Sequence, residues 1–447
     1  MILDALFGDP GVDALLSDES RVAAMLRVEV ALARAEAATG VIPERSVDAI
    51  EQSADVADYD LAALAAEAAQ AGNLAIPLVR QLTERVARID ADSARHVHWG
   101  ATSQDIIDTA LVLQLRDAIA IIEGSLARAS EDAAALAERH IATIMPGRTW
   151  MQHATPVTFG LKAAGWMSAL DRTRAQLRDA LARTLVLQLG GASGTLAALG
   201  DRGADVATAM AAALDLALPE QPWHAHRDRL AALACALGVA TGTMGKIARD
   251  IALLAQTEVA EAHEASADGR GGSSTMPQKR NPVGASVVLA ASLRAPGLVA
   301  TMLAAMPQEH ERALGGWQAE WETLPEVVRV AAGAARHTAE MLSGLEIDAA
   351  RMRANADLTH GVSLAEAVSM ALAEHIGKFH AHGTIGAASK RAIAEHRPLA
   401  DVLAEMPEVT KHLSAAEIAR AITPESYLGS SERFVRDALA RHARERS

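Results

Sequence analysis

The chain has 447 residues, half of them hydrophobic but only 3% aromatic, and carries a formal charge of -14 with both signs interspersed. That length and apolar content exclude disorder over most of the chain and allow two or three domains with large buried cores. The acidic balance excludes a surface built on counterion release from nucleic acid, and a single cysteine, Cys235, excludes an internal disulfide or a thiolate zinc cluster.

The N-terminal MILDALFGDPGVD has acids where a signal peptide needs basic residues, and the uncharged apolar run 230–245 is too short to span a bilayer. No targeting or membrane segment is expected, and a reducing cytoplasm fits. Val22, Met25, Leu26, Val30, Ala33 and Ala37 recur at three-and-four spacing and predict an amphipathic helix that stops at Gly40, with Pro43 beyond. From about Thr109 to Ala350, stretches such as TALVLQLRDAIAIIEGSLARASEDAAALAERH contain few breakers and predict long helices. Each needs a partner for its apolar face, so a bundle is expected. Cys235 sits in one of these stretches, in LAALACALG, where an inert buried thiol is expected.

Breakers concentrate at 145–150, 188–203, 217–223, 268–282 and 305–316, which read as loops. Past Arg351 a more polar segment with Pro398, Pro407 and Pro424 predicts a small helical C-terminal domain. The expected fold is all-α, with three helical domains at 1–109, 110–350 and 351–447, the middle one a long-helix bundle.

The loop 268–282 is the strongest chemical signal. It holds Gly269, Gly271 and Gly272, the hydroxyls of Ser273 and Ser274, Asn281, and Lys279, one of only six lysines in the chain. Such glycines let a backbone approach a ligand or close as a lid, and Lys279 and Asn281 offer donors to an anion. The plainer alternative is a flexible surface turn. His96 and His98 form an HxH pair, but alternate residues do not share a helix face and no third ligand is visible, so no metal is expected. GTMGKI (242–247) lacks the spacing of a phosphate-binding loop, and GRGGSS is no dinucleotide fingerprint.

GSSTMPQKRNP (272–282) resembles the GSSxMPxKxNP signature of the fumarase/aspartase superfamily. In the same order as in that superfamily, VHWGATSQDIIDT (97–109) is similar to the VHxGxTSxD segment of its adenylosuccinate lyases, and GRTWMQHATP (147–156) to the shared GRTHxQxATP. The likeness extends to SDESRVAAMLRVEVALARAEAATGVIP and LGGASGT, and so covers most of the chain. The resemblance implies a cytoplasmic homotetramer built on the central bundle, with each active site drawn from three subunits. It implies no cofactor and no metal, and a small polycarboxylate substrate. Ser273 matches the serine that exchanges a proton beside a carboxylate, and Lys279 and Asn281 match residues that support the developing charge. His98, Thr102, Ser103, Thr149 and Gln152 match substrate-binding positions, with Arg148, Ser274 and Met276 beside them in the same motifs.

That inventory makes chemical sense. Removing a proton next to a carboxylate places extra negative charge on it, and preorganised donors must hold that charge. A serine also needs a dry, cationic setting to act as a base.

Trp150 departs from the pattern, standing where most members have the histidine of GRTH. Cycloisomerases of the carboxymuconate type resemble the chain here, in HWGATSQD, and in AGNLAIP (71–77). The resemblance therefore implies an isomerase that adds a carboxylate across a conjugated double bond and closes a lactone, in aromatic-acid catabolism. The alternatives are another lyase of the superfamily, such as an adenylosuccinate-lyase-like enzyme, and an inert structural homologue. His153, one residue past Gln152, is a candidate catalytic acid, with a structural or solvent-facing role as the alternative. Arg312, in EHERALGGWQAEW (309–321), suits bidentate capture of a carboxylate, against a surface salt bridge.

Overall fold

The computed structural model describes residues 3–265, 271–272, 275–276 and 278–446. The described chain is all-α apart from four short strands. Its five longest helices are Ser103–Arg139, Phe159–Thr184, Asp228–Leu254, Val283–Ala304 and Gly316–Ser343. The first of these, at 37 residues, runs about 55 Å at the usual rise of an α-helix.

Contacts divide the chain into two compact units. One comprises Met1–Leu126, Thr173–Gly245 and Val287–His337. Within it the helix Asp18–Ala38 starts where the Ser17 hydroxyl accepts from the Ser20 N–H at 3.2 Å, and Asp18 and Glu19 in its first turn oppose the helix dipole favourably. It ends before Gly40, whose φ of 75° is a left-handed conformation open to glycine. Val22, Met25, Leu26 and Ala33 are buried, as their spacing predicts, but so are Val28, Glu29, Ala31 and Glu36, so the helix is covered on more than one face. Burying side chains such as Leu26 and Leu32 contributes about 1.5–3 kcal/mol each.

The other unit comprises Ala127–Arg172, Lys246–Ser286 and Thr338–Ser447. Its C-terminal part packs Ala365–Ile376 against Lys378–Glu395 around Leu372, Ile385, Leu399, Val402 and Leu403. Here 145–150, expected as a loop, instead forms strand β1 (Ile144–Thr149), which pairs antiparallel with β2 (Gln152–Thr158). Two short strands, β3 (Ala262–His263) and β4 (Glu346–Ile347), pair in the same way.

The hairpin forms despite its breakers because they fall where a ladder tolerates them. Pro146 pairs with Pro156, and neither has an N–H to leave unpaired. Between Pro146 and Arg148 the register slips by one, so that Gly147 alone stands opposite both Ala154 and Thr155 of a bulge in β2, and a Cβ on Gly147 would lie 2.4 Å from the Thr155 carbonyl oxygen. Cys235 is half-buried rather than fully buried.

Candidate active site

In the first unit, the VHWGATSQD segment is organised by two aspartates. Thr102 precedes the helix Ser103–Arg139, and the Asp105 carboxylate accepts its N–H at 3.0 Å, half of a reciprocal cap. The same carboxylate accepts the N–H groups of Gly190 and Gly191, both at 2.9 Å, and His224 Nε2 lies 2.6 Å from it. Asp105 thereby ties the turn of LGGASGT to the start of the helix. The two turns meet so closely that a Cβ on Gly191 would sit 2.8 Å from the Gly100 carbonyl oxygen. With its φ of 68°, position 191 needs glycine on two counts.

One turn further on, Asp108 faces Arg227, whose Nη1 and Nη2 donate at 2.6 and 3.1 Å, and the Trp317 indole N–H at 3.0 Å. Arg227 also bonds Glu320 and lies over the Trp223 ring, and all four residues of this cluster's ionic and indole pairing are buried. Burial pushes the Glu320 carboxyl up, with Arg227 opposing. A polar cluster this deep is stable only because its groups satisfy one another.

Gln104 links this cluster to the surface. Its Nε2 donates to Asp108 at 3.2 Å and to the His224 carbonyl at 2.9 Å, while its Oε1 accepts from Arg312 Nε at 3.0 Å. The structure therefore brings Arg312 to the same corner as Thr102 and Ser103, both half-buried at the helix N-terminus. His98 Nδ1 is 2.7 Å from Glu29. Burial pulls the His98 imidazole down, but the Glu29 charge and hydrogen bond, with Asp105, outweigh it and leave the pKa above its ordinary value. Two hydroxyls, an imidazole whose pKa is raised, a guanidinium and a helix N-terminus suit a carboxylate ligand.

In the second unit, Arg148, Thr149, Trp150, Gln152 and His153 share one hairpin. Thr149 pairs with Gln152, so Trp150 and Met151 are the two residues of the turn, with φ of 50° and 65°. This is the sign pattern of a type I′ turn, which favours Asn and Gly. Trp150 is 98% exposed and Met151 72%.

Lower down, Arg148 forms a bidentate pair with buried Glu261 at 2.9 and 2.5 Å, and Asn355 donates to the same carboxylate at 2.7 Å. His153 pairs with Arg148 across the ladder. Burial, then Arg148, lowers its pKa from the ordinary value, with Glu261 opposing. Lys162 is likewise lowered by burial first, with Lys246 and Arg148 acting the same way and Asp250 and Glu261 against.

In the 271–282 segment, the Asn281 N–H donates to the Gly271 carbonyl at 2.9 Å, and the Lys279 N–H to that of Met276 at 3.1 Å. Lys279 and Met276 are exposed and Asn281 is half-buried. Ser273 and Ser274 lie outside the described residues.

Sequence reasoning missed Asp105, Asp108, Arg227, Glu320 and Glu261. Asp105 closes the VHxGxTSxD match, which was the signal for it; the others are ordinary in their local context and gain a role only through a partner, 113 positions away for Arg148 and Glu261 and 119 for Asp108 and Arg227.

Comparison with known proteins gives this geometry a lineage. A family model described as lyase matches residues 12–297, and one described as adenylosuccinate lyase C-terminus matches 361–438. The chain is 54% identical over 99% of its length to a 3-carboxy-cis,cis-muconate cycloisomerase of Pseudomonas aeruginosa, covering 96% of that relative. It is 53% identical over 97% of its length to one of Bradyrhizobium diazoefficiens, again covering 96% of the relative. The crystal structure of 3-carboxy-cis,cis-muconate lactonizing enzyme from Pseudomonas putida matches with a TM-score of 0.94 at 49% identity, over 100% of both chains. The chain belongs to the lyase family, the fumarase/aspartase superfamily to which its motifs pointed, in the group that contains the 3-carboxy-cis,cis-muconate cycloisomerases.

Proposed function

We propose that the chain is a cycloisomerase that interconverts 3-carboxy-cis,cis-muconate and 4-carboxymuconolactone in aromatic-acid catabolism. The observation that carries this is the 54% identity to a cycloisomerase across 99% of the chain. In the lactone-forming direction a substrate carboxylate oxygen bonds to one end of a conjugated double bond, and the neighbouring carbon gains a proton. No atom leaves: the π bond gives way to the new C–O and C–H bonds, and one proton is taken up.

In the elimination direction Ser273 takes that proton back, and the electron pair expels the carboxylate. Lys279 and Asn281 support the extra charge that gathers on the adjoining carboxylate. His98, Thr102, Ser103, Arg148, Thr149, Gln152, Ser274, Met276 and Arg312 hold the substrate's carboxylates or complete the pocket. Trp150 fits this chemistry. A carboxylate leaves as a stable anion with an ordinary pKa of about 4, so a general acid at this position contributes little. The lowered pKa of His153 fits as well, since a largely neutral imidazole is a poor acid reservoir at neutral pH.

The working form in this reading is a cytoplasmic homotetramer in which three copies each supply one motif to a site, with domains at 1–109, 110–350 and 351–447. Two helices, Asp228–Leu254 and Val283–Ala304, are long and apolar enough to cross a membrane by length and composition. Only 28% of the second one's apolar window is buried, and Leu293 is 78% exposed. Association of copies would cover that face. A single ultraviolet assay tests the function: the conjugated diene of carboxymuconate should disappear with the purified protein and persist with Ser273→Ala. Turnover of adenylosuccinate, argininosuccinate, aspartate or malate in its place would overturn the assignment. Light scattering that reports a monomer at micromolar concentration would overturn the shared site.

A further inference from the structure

The guanidinium of Arg312 is not free to choose its direction. Its Nε donates to Gln104 Oε1 at 3.0 Å, Nη1 to the Ala192 carbonyl at 3.1 Å and Nη2 to the Gly191 carbonyl at 3.5 Å. A guanidinium has five N–H groups, so these three bonds leave two for an anion. Both carbonyl partners belong to the turn that Asp105 anchors through the Gly190 and Gly191 N–H groups.

Gln104 is fully buried, and its amide has nearly the same shape either way round. What decides its direction is the set of groups at its other end. Asp108 Oδ2 and the His224 carbonyl both accept from its nitrogen, and neither can donate. A reversed amide would set oxygen against two acceptors and an NH2 group against a cation, leaving buried groups unpaired. Asp108 is itself fixed by Arg227, Trp317 and Gln188, whose Nε2 donates at 3.3 Å. The order in the buried cluster thus passes to a single oxygen aimed at Arg312.

We infer that Gln104 is a positioning residue: it holds the Arg312 guanidinium toward a substrate carboxylate and so sets affinity for the polyanionic substrate without touching the reacting atoms. An amide suits this task because it restrains the guanidinium while leaving its charge uncancelled and does not titrate. A carboxylate in its place would neutralise the cation that the substrate needs. This inference rests on reading Arg312 as a substrate contact.

The test is a double-mutant cycle on the full-length enzyme, followed by the diene assay. Gln104→Met, similar in volume but without the acceptor, is expected to raise KM about tenfold with kcat within about twofold. Arg312→Ala should raise KM at least as much, and the double variant should be no worse than Arg312→Ala alone, because the two residues act as one unit. An unchanged KM in Arg312→Ala sinks the reading of Arg312 and the inference with it. A raised KM in Arg312→Ala, with Gln104→Met unaffected or its effect additive, overturns the positioning role alone. Should Gln104→Met fail to fold, Gln104→Asn keeps both kinds of polar group but draws the oxygen back by one methylene. It is then expected to raise KM about threefold, and an unchanged KM there overturns the inference equally.

Discussion

Around Asp105 and Asp108 the chain buries His224, Arg227 and Glu320 and gives every carboxylate donors from within the same unit. The hairpin of β1 and β2 is anchored with equal care at its base, through Arg148, Glu261 and Asn355, yet ends in Trp150 and Met151 turned out to solvent. The first region finishes itself. The second spends left-handed backbone on two bulky residues, at about 1–3 kcal/mol each, and leaves both of them largely exposed. A region completed by its own chain needs no partner, whereas in the proposed shared site the strained, apolar apex of the hairpin would meet substrate or a second copy.

The sharpest way to break this contrast is to unpair the closed region. Arg227→Met leaves Asp108 and Glu320 buried without their cation, and denaturant unfolding should show a loss of about 3–5 kcal/mol. A loss below about 1 kcal/mol would mean that water already reaches the cluster.

Glu36 sharpens it from the other side, being buried in the same unit with neither carboxylate oxygen hydrogen-bonded. Burial, and then Glu29, pushes its pKa from 4.5 up to about 9. Because the folded value is the higher one, the stability tied to its proton is full below about pH 4.5 and lost as pH rises toward about 9, at up to about 1.4 kcal/mol per pH unit. Glu36→Gln should remove that slope and be the more stable protein at pH 8. Parallel stability curves for the two proteins between pH 5 and 9 would show that Glu36 ionises freely.

At the hairpin, replacing Trp150 with Asn and Met151 with Gly supplies the residues its turn favours. That change should stabilise the fold by about 1 kcal/mol while lowering turnover about tenfold or more through lost positioning. Turnover that stays at the parent level would mean that the exposed apex does nothing. The smallest effect is expected at His153→Gln, which should keep turnover within about threefold across pH 6 to 8, since the imidazole is already biased toward its neutral form. A loss of about 100-fold, with an acidic limb disappearing from the pH profile, would identify His153 as the proton donor.

Much of this was legible beforehand. Helical spacing at Val22, Met25 and Leu26 marked a real buried face, and two of the three motifs, at 97–109 and 147–156, singled out segments on which the two clusters are built. The hairpin was hidden because Pro146 and Gly147 read as breakers. Only the pairing of Pro146 with Pro156, and the nearby Thr155 carbonyl, turned them into a tolerated pair and a bulge.

The sequence by itself determined helix content, the family and the kinds of chemical group available, because periodicity and contiguous motifs are local properties. Tertiary structure alone decided that Asp105 would hold a glycine turn, that Gln104 would aim its oxygen at Arg312, and that Glu261 would clamp Arg148. A buried polar group's partner is chosen by who arrives within 3 Å when the chain closes, and desolvation makes that choice costly to leave unmet. Nothing in the neighbouring residues records it.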